Sequence, residues 1–157
     1  MRRKDREVTD KKAIQSIMER CPICRVAFTD DEGAFIVPMN YGYQWEEELT
    51  LYFHSALEGR KIAALQANPS VFFEMDIHHG IQEGATACQY SAYFESVMGT
   101  GKASLVSDVA EKKKALALLM HHQAGKDFVF DEQDVASVAV IKVVADSVTA
   151  KKRVPKE

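Results

Sequence analysis

Hydrophobic positions along this chain follow two spacings, one helical and one alternating, and they change from one to the other several times. Thr9 or Asp10 can cap a helix whose apolar face is Ile14, Met18 and Cys21 and which ends at Pro22. Cys24, Val26 and Phe28 then alternate with Arg25, Ala27 and Thr29, the period of two that marks a strand. Asp30-Asp31-Glu32-Gly33 reads as a hairpin turn, with Gly33 available for positive φ. The return strand runs from Ala34 to Asn40 and contains Pro38, which removes a ladder donor and so marks an edge, a bulge or a strand end. Tyr41 to Glu48 reads as a polar loop carrying Trp45, and Leu49 to Ser55 as a third strand, so the order is that of an antiparallel meander.

Glu58 to Gln66 places Ile62 and Leu65 at helical spacing and stops at Asn68-Pro69. Ser70 to Ile77 and Tyr90 to Val106 are rich in β-branched and aromatic residues, and Gly99 and Gly101 predict a bulge or bend in the second. His78-His79 falls in the loop between them. Asp108 and Glu111 fit a capping box for a helix over 108–123 with Ala115, Leu116, Leu119 and Met120 on one face. An apolar strand follows from Val135 to Ala145. The pattern predicts a mainly β, α+β chain: about six antiparallel strands in a small barrel with about three helices at its rim, rather than a doubly wound sheet.

The length of 157 residues fits a single domain over 1–157. A formal charge of −3 withholds the basic surface that nucleic acid needs. The basic runs Arg2-Arg3-Lys4 and Lys151-Lys152-Arg153 read as solvated tails. No apolar run follows the N-terminal charges as in a signal peptide, and none approaches the about 18 residues of a membrane span. A cytoplasmic protein with three reduced cysteines is expected.

Two stretches carry candidate chemistry. From Tyr52 to Lys61 a strand ends in His54-Ser55 and a helix begins beside Gly59-Arg60-Lys61. Amides of a helix's first turn, a serine hydroxyl and two cations can converge on a phosphate; the plain alternative is a glycine turn with solvated charges. At Val37-Pro38-Met39-Asn40 an interrupted strand can offer backbone groups, the amides of Val37 and Met39, to a flat ring with a hydrogen-bonding edge; the plain alternative is an ordinary edge strand.

Four stretches resemble the nitroimidazole-resistance branch of the pyridoxamine 5'-phosphate oxidase-like FMN-binding split-barrel family. They are Met1 to Glu7, Val37 to Tyr43, Leu51 to Ala56 with Gly59 to Lys61, and Glu95 to Ala103, in matching order over roughly residues 1 to 152. The resemblance implies a homodimer with two FMN sites at its interface. It implies that Val37, Pro38, Met39 and Asn40 line the isoalloxazine ring, that Ser55, Arg60 and Lys61 hold the phosphate, and that Ser96 and Val97 run along the cofactor of one or other subunit. His54 matches the histidine beside the flavin, the branch's proposed functional residue in reducing nitroimidazoles to amines. Histidine is suited to proton donation near neutrality.

Cys21-Pro22-Ile23-Cys24 departs from the small apolar residues usual in that branch. The CxxC spacing admits a zinc or thiol-redox protein, but zinc needs two more ligands from Cys88, His78-His79 or His121-His122, and none forms a second paired motif. The competing functions are thus an FMN-dependent oxidoreductase acting on small nitro compounds, a flavin or haem carrier on the same fold, and a zinc or thiol protein using Cys21 and Cys24.

Overall fold

In the computed structural model, which describes residues 3–155, Asp10 rather than Thr9 is the first helix cap. Its carboxylate accepts from the Ala13 amide at 2.8 Å and starts α1 (Lys11–Glu19), whose buried face is Ile14, Ile17 and Met18. The chain before it forms β1 (Glu7–Val8). The expected hairpin follows as β2 (Ile23–Asp30) and β3 (Gly33–Asn40), closed over two residues with Gly33 at φ +112°. Then come β4 (Gly42–Trp45), β5 (Leu49–Ser55), α2 (Arg60–Ala67), β6 (Ser70–Gln82), β7 (Ser91–Leu105), α3 (Val109–Ala124), α4 (Glu132–Ala136) and β8 (Ala139–Arg153).

The strands form one antiparallel sheet in the order β3-β2-β6-β7-β8-β5-β4, with β1 added on β8. This order carries the first strand of the path round toward the last. β3 and β5 approach each other yet do not pair, so the barrel is split between them. Alternate residues of each strand fill the interior: Val26, Phe28, Leu51, Phe53, Phe73, Met75, Val97, Ile141 and Val143 are each no more than 2% exposed. Burying a side chain of this kind stabilises the fold by about 1.5–3 kcal/mol. A smaller cluster lies outside the barrel, where Tyr52 and Val140 meet Leu116 of α3 and Val135 of α4.

Several expectations are corrected. The segment read as a polar loop contains β4, because pairing with Leu49–Tyr52 of β5 and cover from α3 outweigh its weak strand pattern. Val135 does not open the last strand. It is the buried residue of α4, a helix the pattern missed, whose capping box joins Asp131 and Asp134. β8 instead continues through Lys151-Lys152-Arg153, which pair with Ser96, Glu95 and Phe94 of β7 rather than trailing in solvent. Ladder bonds hold this backbone, and the Arg153 guanidinium lies 5.2 Å from the Tyr93 ring centre. His78-His79 is part of β6, at its register shift, and not in a loop. Asp108 does cap α3, accepting from the Glu111 amide at 2.7 Å, but the Glu111 carboxylate turns to Lys142 at 2.7 Å and to the Tyr52 hydroxyl at 3.2 Å. The anticipated bend in β7 is present as a register shift between Thr100 and Gly101.

One buried charge ties α1 to the barrel. The Glu95 side chain, 8% exposed, takes Arg20 at 2.5 Å and His79 at 2.8 Å. The Arg20 hydrogen bond draws its carboxyl below the usual range, against the opposing effect of burial. A depressed carboxyl adds stability that is complete above the unfolded value of about 4.3 and drains away as pH falls through the lower folded value. Glu95→Gln should therefore lower stability at pH 7 by about 1–2 kcal/mol. In urea titrations the gap from the unsubstituted protein should close as pH is lowered from 5 to below 3; a gap unchanged with pH would refute the ionic role.

Candidate functional site

The split between β3 and β5 gathers most of the residues that the sequence marks out. β3 is a terminal strand of the sheet and pairs only with β2. Asp30 and Gly33 close a two-residue turn, so they form a hydrogen-bonded pair, and antiparallel alternation then makes Phe28–Phe35, Val26–Val37 and Cys24–Met39 the other such pairs. Pro38, opposite Arg25, falls at a position where no donor is needed. The amides of Val37 and Met39 are consequently spent on β2, which corrects the expectation that they face a ligand. The open edge instead presents the N–H groups of Ile36 and Asn40 and the carbonyl of Pro38.

Side chains on β3 divide the same way. Val37 packs against the core and Met39 is 7% exposed within it. Pro38 and Asn40 face outward, and the Asn40 amide donates to the Gln123 side chain at 2.8 Å and to the Pro22 carbonyl at 3.2 Å.

Across the split, β4 covers β5 only as far as Tyr52. His54 and Ser55 emerge beyond it and point to opposite faces, as successive strand residues must. Ser55 turns inward; its hydroxyl is buried and has no hydrogen-bond partner among the described residues. A buried polar atom left without a partner costs about 1–3 kcal/mol, so this oxygen is short of a ligand. Close by in sequence, α2 begins at Gly59, held at φ +132° and ψ 171°, a conformation open to glycine. Gly59 offers no side-chain cap. Its carbonyl takes the Ile62 and Ala63 amides at 3.0 and 3.1 Å, which leaves the Arg60 and Lys61 amides unpartnered among the described residues. An uncapped helix start favours an anion.

The two cations differ. Arg60 makes a bidentate pair with Asp30 at 2.6 and 3.0 Å, reaches Glu32 at 3.1 Å and lies 4.2 Å from the Phe35 ring centre. Asp30 is a partner that sequence reading missed; its place beside the β2–β3 turn gave no sign of it. Lys61 is half-buried and makes no ion pair among the described residues. A phosphate at α2 would meet Lys61 directly and Arg60 only in exchange for its carboxylates, an exposed pairing that solvent screens.

Ser96 and Val97 are not brought to this split. Along the sheet β7 is three ladder steps from β3 and two from β5, so it borders neither side of the split. Val97 is 0% exposed in the core and is paired on both sides, with Met75 and Ala150, so it has no atom to offer a ligand here. Ser96 faces the outer surface, where with Met98, Thr149 and Lys151 it lines a depression of about 250 Å³.

His54 lies on the outer face of β5, exposed, at a second cavity of about 250 Å³ whose other walls include Leu116, Leu119 and Met120 of α3, Phe130 and Val138. Sequence reading missed these walls because they depend on how α3 and α4 fold over β5.

Cys21 and Cys24 are 1% and 0% exposed, and burial pushes their thiols up to about 11 and about 12. Neither has the thiolate character of a redox pair. No group of three or more His, Cys, Asp or Glu side chains is placed to hold a metal among the described residues. His122 is held toward its neutral form by burial, with Nε2 3.1 Å from the Cys21 carbonyl. A thiol reagent should titrate only Cys88 in the native protein and all three cysteines after unfolding; two or more fast-reacting native thiols would overturn this packing.

Comparison with known proteins agrees with the architecture. The family model for Pyridoxamine 5'-phosphate oxidase matches residues 10–152. A crystal structure from Bacteroides thetaiotaomicron, named for 5-nitroimidazole antibiotic resistance, is 38% identical, with a TM-score of 0.79 over 92% of this chain and 85% of that one. The flavocytochrome Anf3 from Azotobacter vinelandii shares the fold at 20% identity and a TM-score of 0.81, over 99% of this chain and 72% of that one. A FAD and haem binding protein from Mycobacterium smegmatis does so at 14% identity and a TM-score of 0.81, over 97% and 76%. A search of curated proteins returns no match. Among the described residues no helix is long and apolar enough to cross a membrane. With the family model covering most of its length and a split antiparallel barrel to match, the chain belongs to the pyridoxamine 5'-phosphate oxidase family.

Proposed function

We propose that this chain binds FMN along the split of a homodimer and uses it to reduce small nitro compounds, nitroimidazoles among them, to amines. The observation that carries the reading is the buried, unpartnered Ser55 hydroxyl, a few residues ahead in sequence of the uncapped start of α2. With the Arg60 and Lys61 amides and the Lys61 ammonium it makes a donor set suited to a phosphate and poorly suited to a neutral group. The free edge of β3 suits the hydrogen-bonding rim of a flavin through the Ile36 and Asn40 amides and the Pro38 carbonyl. The 38% identity with a protein named for nitroimidazole resistance supports the choice of substrate.

When bound, a flavin takes hydride from a reductant and passes it to an acceptor. The chain's own work is to orient and to protonate. Ser55 and Lys61 would fix the phosphate end and β3 the ring edge, while His54, on the opposite face of β5 from Ser55, would supply a proton only to an acceptor beside a flavin that the second copy brings to that face. Ser96 enters only through a second copy, because within one chain it stands across the sheet from the split. The outer sheet face, with Ile36 65%, Phe72 46% and Met98 39% exposed, is the surface a second copy would cover. Reduced thiols fit a cytoplasmic home.

Protein freed of ligand, mixed with excess FMN and passed through gel filtration should keep a yellow flavin band, and in the presence of FMN it should melt at a higher temperature, by the few kcal/mol that a ligand at about 100 times its Kd supplies. Neither absorbance nor a melting shift with FMN would end the reading, and a shift with FAD alone would change the cofactor. The exposed His54 beside an apolar cavity favours, as second reading, a flavin or haem carrier. Anaerobic incubation with reduced flavin and a nitroimidazole separates the two, since a carrier forms no amine.

A further inference from the structure

A cleft of about 450 Å³ opens where α1, β4 and α3 meet, and the function proposed above makes no use of it. It shares no lining residue with the cavity beside His54 or with the groups around Ser55. We infer that this cleft binds a small organic cation, a primary ammonium on an aromatic or apolar body, with the ammonium at the Glu19 carboxylate and the body against Trp45 and Leu118.

Carboxylates dominate its surroundings. Glu19 of α1 lines the cleft, and no Lys or Arg does. The next residue, Arg20, is turned to Glu95 and to the Ser16 carbonyl, so Glu19 makes no ion pair among the described residues. Glu46, Glu47 and Glu48 follow Trp45 in an exposed turn, and their side chains are not ion-paired among the described residues either. Asp127 lies 2.8 Å from His121 at the α3 side. Three lysines stand against these five acids: Lys11, Lys12 and Lys114, of which Lys12 and Lys114 are exposed on the helix turns leading to the cleft. Lys11 is committed, its Nζ donating to the Glu46 carbonyl at 2.5 Å. The balance favours a cation.

The hydrogen-bonding groups favour one that only donates. His122 Nε2 is 3.1 Å from the Cys21 carbonyl, which has no proton to give, so Nε2 carries the hydrogen; burial keeps the ring toward its neutral form, and Nδ1 is left as an acceptor. The Tyr43 hydroxyl, pushed up to about 12 by burial and then by nearby Glu19, keeps its proton. Its ring meets that of His122 edge-on at 5.7 Å. The side-chain amides of Gln15 and Gln44 make no hydrogen bond among the described residues and add two carbonyl acceptors to the lining. A primary ammonium brings three donors and no acceptor, which matches this set.

The remaining wall suits an aromatic or aliphatic body. Trp45 and Leu118 are half-buried, and the Trp45 ring already takes an ammonium, since Lys11 Nζ lies 5.4 Å from its centre. A cavity of about 150 Å³ holds benzene, so about 450 Å³ admits a ring with a short chain.

Trp45 is the only tryptophan, so its emission reports on the cleft directly. Protein freed of flavin can be titrated near pH 8, at constant ionic strength, with phenethylamine, with phenethyl alcohol, which has the same shape without the charge, and with the anion hydrocinnamate. Phenethylamine should change the emission with a Kd on the order of 1 mM. The alcohol and the anion should each bind at least about fivefold more weakly, and Glu19→Gln should erase the preference for the amine over the alcohol. Gln15→Lys, which sets a built-in ammonium one helical turn from Glu19, should abolish the amine response while leaving FMN-induced melting shifts unchanged. Equal binding of amine and alcohol, a preference that survives Glu19→Gln, or an amine response that survives Gln15→Lys would overturn the inference. So would loss of the FMN-induced shift in the Gln15→Lys protein, which would make the cleft part of the flavin site.

Discussion

Gly42→Ala will cost the fold about 3 kcal/mol or more, and the urea midpoint and melting temperature will both fall sharply. An added Cβ at this position would lie 2.3 Å from the Leu119 amide nitrogen and 2.6 Å from its Cα. These are backbone atoms in the middle of α3, so no rotamer change relieves the clash. Either α3 lifts from β4 or β4 leaves β5, and each route opens the Tyr41, Tyr43 and His122 packing, in which the Tyr41 and His122 ring centres are 4.5 Å apart. At this chain length about 3 kcal/mol corresponds to roughly 6–12 °C in melting temperature. Gly125→Ala is a useful contrast: φ is +62° there, but nothing lies within 4 Å, so the cost is local strain of about 1 kcal/mol with no repacking. A Gly42→Ala protein as stable as the Gly125→Ala protein would show that α3 does not sit on β4 as described.

Gly42 also shows where sequence reading stops. The elements that carry their own pattern were legible: Asp10 and Ile14 announced α1, the alternation from Cys24 to Phe28 announced β2, and Asn68-Pro69 ended α2. β4 carries no such pattern. Gly42-Tyr43-Gln44-Trp45 becomes a strand only because β5 pairs with it and α3 lies on it, and both are long-range facts. The same holds at the other end. Lys151-Lys152-Arg153 has the composition of a tail, but β7 runs long enough to pair with it. α4 was obscured because Val135, Val138 and Val140 read together as one strand, although Asp131 and Asp134 stand at capping-box spacing and could have signalled a helix.

The candidate site was legible in its parts and not in its arrangement. Sequence order placed His54 and Ser55 at a strand end and Arg60 and Lys61 at a helix start, and the structure has both. It could not show that β3 spends its Val37 and Met39 amides on β2, since that depends on ladder phase counted from the Asp30–Gly33 turn. Nor could it show that Val97 faces the core while Ser96 faces out, or that Arg60 is tied to Asp30.

The tie between Arg60 and Asp30 makes the two cations unequal toward FMN. Lys61→Ala should weaken FMN binding by about 10- to 100-fold, the loss of about 1.5–3 kcal/mol expected for a charge-assisted bond to phosphate. Arg60→Ala should cost less, within about fivefold, because a phosphate gains the guanidinium only by giving up bonds that Asp30 and Glu32 already make. Asp30→Asn then serves as the diagnostic change. It releases Arg60 without touching α2 or Ser55, so FMN should bind more tightly, and more so at low salt, where unscreened charges count for most. Fluorescence titration of FMN against the three variants at two salt concentrations reads all of this directly. Equal losses from Lys61→Ala and Arg60→Ala, with no gain from Asp30→Asn, would mean that both cations already face the phosphate together. Loss of neither would move the phosphate away from α2 altogether.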